Sequence, residues 1–108
     1  MTVFEIISKL KEISKKVSSN TKVYFDNAHT DEEISIMGAG YFDKFDNLVI
    51  FGEGKPITIS KLIRRLEELI THYNITEETI ITYEDAHTLD DVFINHIYVI
   101  DNSVVLTD

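Results

Sequence analysis

Apolar residues recur every three to four positions through the start of the chain. Val3, Ile6, Ile7, Leu10, Ile13 and Val17 form one stripe, the period of an amphipathic helix. Thr2 followed by Glu5 has the spacing of a capping box, in which each residue satisfies an amide of the other. The stripe is predicted to end at Ser18-Ser19-Asn20. Lys22 to Asn27 then reads as a strand with Val23 and Phe25 on one side, and 34–42 as a second strand. Gly38 and Gly40 interrupt that second strand, where a bulge or a close backbone approach is expected. A turn at 43–47 leads to a short third strand at 48–51. After GEGKP at 52–56, Thr58 is a second candidate cap, with Ile57 and Leu62 placed as a hydrophobic staple. The second stripe is Ile59, Leu62, Ile63, Leu66, Leu69, Ile70 and Tyr73, with Asn74 as its stop. Strands are predicted at 79–84 and 92–100, and Asp101-Asn102 as a two-residue hairpin turn into 103–106.

The pattern occurs twice. DNAHTDEEISI at 26–36 returns as EDAHTLDDVFI at 84–94, with Ala28, His29, Thr30 matched by Ala86, His87, Thr88. The helical stripes at 2–14 and 58–70 align, as do DNLVI at 46–50 and DNSVV at 101–105. The fold class expected is α+β: a tandem αβββ-αβββ repeat with two helices, antiparallel sheet or sheets, and a pseudo-twofold relation. Residues 1–52 form the first repeat and 57–108 the second. At 108 residues the two must share a single domain, because half of such a chain buries too little surface to stand alone. One continuous sheet under both helices and two small sheets related by an axis both fit. The second is preferred, since duplicated units tend to keep the isologous contact of a dimer. In 92–100, Val92, Ile94 and Ile100 are predicted to face one way and Phe93, Ile97 and Val99 the other. Either the two units bury both faces against each other, the preferred reading, or a partner or second copy covers one.

Charge changes this picture. All ten Lys and Arg fall within residues 1–65, beside nine acidic residues; residues 66–108 hold ten acidic residues and no Lys or Arg. Such a field repels phosphates and suits a basic protein surface. Glu84, Asp85, Asp90, Asp91 and Asp101 are the candidate partner-binding residues. The lysines Lys9, Lys11, Lys15, Lys16 and Lys22 have only Tyr24 nearby for stacking, so direct nucleic-acid binding is not expected. No cysteine is present, which excludes thiolate chemistry. With neither a signal pattern nor a membrane-length apolar run, a cytoplasmic protein is expected.

The repeated histidines raise a metal site. His29 and Asp31 in one segment, and His87 and Asp90 in the other, are donors that Mn, Fe or Zn would accept. The segments lack the glycine of a calcium loop and the paired histidines of a zinc helix. Strand-connecting turns, with Asp and Thr bonded to local backbone, explain the same letters more simply, and no cofactor is expected. No serine sits in a nucleophile elbow, and GAG at 38–40 lies within a strand. Glu67-Glu68 and Glu77-Glu78 read as solvated helix and turn residues. No enzyme activity is expected.

The pattern T-[VI]-x-x-[IL]-I-x-x-L, an apolar strand, an acidic loop and D-N-x-V-[VI] resembles a broad group of small phage- and prophage-encoded proteins. Thr2 to Leu10 and Thr58 to Leu66 carry the helical part, Asp46 to Ile50 and Asp101 to Leu106 the strand. The resemblance implies a helix-plus-meander unit, present here in tandem, and a mobile-element origin. It adds no catalytic residues. The function expected is a non-enzymatic acidic protein that docks on a basic host protein, with an anti-defence inhibitor of the anti-CRISPR or DNA-mimic type as its sharpest form. A self-assembling module, including a homodimer, and a metal-binding protein are the alternatives.

Overall fold

The computed structural model describes residues 1–27, 32–52, 54–84 and 91–108, with the backbone alone for Asn27, Glu32, Glu33 and Asp91. Helix α1 spans Val3–Ser14. Its capping box is complete: the Glu5 amide donates to Thr2 Oγ1 at 3.1 Å and the Thr2 amide to Glu5 Oε1 at 3.0 Å. The helix stops before the predicted Ser18-Ser19-Asn20. Ser14 Oγ donates to the Lys11 carbonyl at 2.7 Å, a local bond that competes with the helical ladder. Val17 still packs on the core.

Strands β1 (Lys22–Asn27), β2 (Glu32–Phe42) and β3 (Asn47–Gly52) form the expected antiparallel meander. Helix α2 (Ile59–His72) follows, its first turn capped by Thr58, whose Oγ1 accepts from the Lys61 amide at 3.3 Å. Strands β4 (Ile80–Glu84), β5 (Asp91–Phe93), β6 (His96–Ile100) and β7 (Ser103–Thr107) complete the chain. Asp101 and Asn102 both have positive φ, 45° and 61°. This is the left-handed pair that a two-residue hairpin requires and that Asp and Asn tolerate.

All seven strands belong to one sheet, in the order β5-β4-β3-β2-β1-β7-β6. Two expectations are corrected here. The sheet is continuous rather than split in two, and it is mixed rather than antiparallel: β1 runs parallel to β7, and β3 parallel to β4. The described residues form seven strands instead of six, because the predicted strand at 92–100 breaks at Ile94-Asn95. Its first part pairs with β4 and its second with β7. The break also resets the predicted alternation: Ile94 and Ile97 are both buried, whereas Phe93, Val99 and Ile100 are exposed. β2 makes a comparable change of neighbour without breaking. Residues 32–35 pair with β1 and 36–42 with β3, with a bulge between Ile36 and Gly38. Across that bulge the Phe51 ring lies over Gly38, where an added Cβ would sit 3.3 Å from it.

One core joins both helices to one face of the sheet. Val23, Phe25, Leu48, Ile50, Ile81, Tyr83, Val104 and Leu106 alternate along their strands and cluster with Ile6, Leu10, Leu62 and Leu66. Phe25 of β1 and Tyr83 of β4 stack with centroids 4.0 Å apart and planes 8° from parallel. Two strands lie between β1 and β4, which in a flat sheet would hold them roughly 14 Å apart at ordinary interstrand spacing. The sheet is therefore strongly curled, concave toward the helices, and the bulge in β2 is where such curvature is accommodated.

Candidate functional site

The curl and the helix caps create two kinds of surface hollow. At the start of α1, two adjoining hollows of about 350 and 580 Å³ share Met1, Thr2, Glu5 and Glu77. Their apolar floor is supplied by Phe4, Ile80 and Phe93, which are 38, 44 and 63 % exposed. Each is exposed for a local reason. Phe4 falls off the buried stripe of α1, while Ile80 and Phe93 point away from the helix-packed face of β4 and β5. Glu78 and Glu12 add carboxylates to the rim, and Lys9 is the one basic side chain among the described residues that line it. The terminal ammonium of Met1 donates to the Ile94 carbonyl at 3.5 Å. Glu5 is held below the ordinary carboxylate value near 4.5, chiefly by the Thr2 amide and next by the Thr2 hydroxyl. Its charge on this rim is therefore secured by the helix cap itself.

The turn that carries Glu77 and Glu78 is pinned from the far side. Asp46, in the left-handed conformation with φ 47°, ends the short 3₁₀ turn Asp43–Phe45. Its Oδ1 accepts from Tyr41 Oη at 2.7 Å and from Thr79 Oγ1 at 2.9 Å, and its carbonyl accepts from the Ile80 amide at 3.0 Å. Thr79 Oγ1 also accepts from the Thr76 amide at 3.0 Å. These bonds fix the entry of β4 beside β3, and hence where residues 76–80 present their side chains. The Asp46 carboxylate raises the Tyr41 phenol above its ordinary value of 10, because it favours the protonated donor.

The second hollow, of about 570 Å³, lies at the start of α2 and is lined by Lys22, Lys55 and Lys61 with Met37, Pro56 and Ile57. No carboxylate among the described residues lines it.

Of the residues singled out from sequence, Glu84 ends β4 and is partly buried, while Asp101 is exposed in the β6–β7 turn. The sheet does not bring them together. β3, β2 and β1 separate their strands, and with β4 and β7 running the same way Glu84 closes one strand while Asp101 precedes the other. Asp85 and Asp90, the Asp91 side chain, and the histidine segments with His29, Asp31 and His87 lie outside the described residues. Among the described residues no group of three His, Cys, Asp or Glu is placed to hold a metal ion, and no helix is long and apolar enough to cross a membrane. Of the acidic rim residues, Glu77 and Glu78 were legible only as solvated surface and Glu5 only as a capping partner, although the T-E-E-T run at 76–79 was the available signal. The lysine hollow had no signal, since Lys22, Lys55 and Lys61 converge only through the fold. The chain matches no known family model, no curated protein and no solved structure.

Proposed function

We propose that this protein is a non-enzymatic binding protein of mobile-element origin that docks a basic, amphipathic segment of a host protein in the acid-rimmed hollows beside α1. The observation that carries this reading is the pairing of exposed Phe4, Ile80 and Phe93 with the carboxylates of Glu5, Glu12, Glu77 and Glu78. Aliphatic stems of Lys and Arg cover apolar floor while their charged heads reach a carboxylate rim. The absence of Lys and Arg from residues 66–108 extends the same field over the adjoining surface, which speeds encounter with a cationic partner and selects against anionic ones. An anti-defence inhibitor acting on a nucleic-acid-handling host protein is the specific form this chemistry suits.

The fold is read here as a tandem copy with a pseudo-twofold relation. Five residue pairs join β1 to β7 and five join β4 to β3, with Val23 opposite Val104 and Phe25 opposite Leu106 in one case, Ile81 opposite Leu48 and Tyr83 opposite Ile50 in the other. Each first strand thus pairs with the last strand of the other unit, as in a swapped dimer fused into one chain. The Ile57 amide donates to the Ile36 carbonyl as Met1 nitrogen does to Ile94. On this reading the acidic and lysine hollows are one niche in two versions of opposite charge.

Calorimetric titration with a synthetic Lys/Leu amphipathic peptide, at low and moderate salt, tests the docking site. Binding should weaken at least tenfold with Glu77→Lys/Glu78→Lys, again with Phe93→Ser, and steeply with salt. Affinity indifferent to both variants refutes the proposal. Light scattering of the free protein addresses the alternative: a mass of twice 12.4 kDa lost in Phe93→Ser would assign the same apolar floor to a second copy.

A further inference from the structure

The geometry points to a second, separate site: the lysine hollow at the start of α2 binds a small phosphorylated anion. Three exposed lysines from three different parts of the fold line it. Lys22 opens β1, Lys55 lies in the connection after β3, and Lys61 stands in the first turn of α2. The hollow is of ordinary ligand-pocket size.

The placement opposes what folding alone favours. A helix start carries positive potential, which acidic side chains relieve and basic ones worsen. α1 obeys the rule with Glu5 at its third position; α2 carries Lys61 at the same position and no acidic residue in its first turn. Two further lysines adjoin it in a chain of formal net charge −9, where carboxylates are abundant as partners. None of the described ion pairs uses Lys22, Lys55 or Lys61; the two formed are Lys11 with Glu67 and Arg65 with Glu68. Local violations of this kind concentrate where a ligand supplies the missing compensation.

The helix amides do not hold the anion. The Ile59 amide donates to the Thr21 carbonyl, the Ser60 amide to the Ser19 carbonyl and the Lys61 amide to Thr58 Oγ1. Recognition falls to the exposed ammonium groups, which suit the point charges of a di- or triphosphate. Met37, Pro56 and Ile57 give the hollow an apolar wall against which the organic part of such a ligand packs. A polynucleotide is disfavoured, because the acidic surface beyond the hollow would meet its remaining phosphates.

The two methionines of the chain make the experiment selective. Met37 lines the lysine hollow and Met1 the acidic hollows. With methyl-labelled methionine, titration by inorganic pyrophosphate and by a nucleoside diphosphate should shift the Met37 signal saturably and leave Met1 in place. Lys61→Gln and Lys55→Gln should each weaken binding at least fivefold, and Lys9→Gln should not. Parallel, unsaturating shifts of both methionines, or unchanged affinity in the Lys61 and Lys55 variants, would overturn the assignment. Tighter binding of a single-stranded oligonucleotide than of either small probe would also overturn it.

Discussion

Replacing Asp46 tests the chain of reasoning that positions the acidic rim. Its carboxylate accepts from Tyr41 and Thr79, and its backbone sits at φ 47°. Three variants separate these contributions. Asp46→Asn keeps one side-chain acceptor and a residue tolerant of the left-handed region, so its cost should be about 1 kcal/mol. Asp46→Gly removes both side-chain bonds and relaxes the backbone. Hydrogen bonds to a charged acceptor contribute about 1.5–3 kcal/mol each when buried. Asp46 is only partly buried and Thr79 retains its bond from Thr76, so the combined loss should be about 2–3 kcal/mol. Asp46→Ala adds the left-handed penalty of about 1 kcal/mol. With a urea slope of about 1.5 kcal/mol/M for a small domain, the glycine variant's midpoint should fall by roughly 1–2 M. Tyr41→Phe and Asp46→Gly combined in a double-mutant cycle should destabilise by less than the sum of the two single changes. The phenol supplies a second readout. Its pKa is raised in the folded state, so the contribution of this bond is present below pH 10 and lost as pH rises through the folded value. In Asp46→Gly the Tyr41 titration, followed by its ring carbon resonance, should return toward 10. A glycine variant within 0.5 kcal/mol of the parent, or an alanine variant more stable than the glycine one, would refute the account.

Gly52→Ala should destabilise by about 2–3 kcal/mol, because an added Cβ collides with Tyr83 Oη and sits 2.7 Å from the Ser35 carbonyl oxygen. Tyr83→Phe in the same chain should recover only part of the loss, and full recovery in urea melts would mean that the Ser35 contact is slack. Ile97→Asp should abolish cooperative unfolding while Phe93→Asp leaves it nearly unchanged, since the first is 6 % exposed and the second 63 %; equal effects would contradict the break at Ile94-Asn95. The Glu5 carboxylate, whose folded pKa is depressed, stabilises α1 above pH 4.5 and loses that contribution as pH falls through the folded value. A Glu5 side-chain titration midpoint at or above 4.5 in carbon NMR would remove the capping box as its cause.

Both helices, both caps and the β1–β3 meander were readable because periodicity and caps are local signals, and the Asp101-Asn102 turn because its conformation selects those residues. The bulge in β2 was readable from Gly38. The split of 92–100 was not. Apolar residues run on from Val92 to Ile94 and from Ile97 to Ile100, and nothing local shows that one part hydrogen-bonds to β4 and the other to β7. Parallel pairing of β1 with β7 and of β3 with β4 was hidden for the same reason, since partner choice is decided by the packing of the whole sheet. The candidate site suffered most. Glu84 and Asp101 share a sign but not a surface, whereas Glu77 joins Glu5 only because Asp46 holds the start of β4 in place.

The pairing of β1 with β7 also governs when this protein becomes a protein. Strand β1, at Lys22–Asn27, has as one of its two neighbours Ser103–Thr107, a segment that is synthesised well after it. Until then β1 presents a bare hydrogen-bonding edge, and the nascent chain is open to mispairing with other extended segments. Shortened products that lack residues 103–107 should accordingly be recovered as aggregates, and cells making the protein should depend on whatever shelters such edges during synthesis.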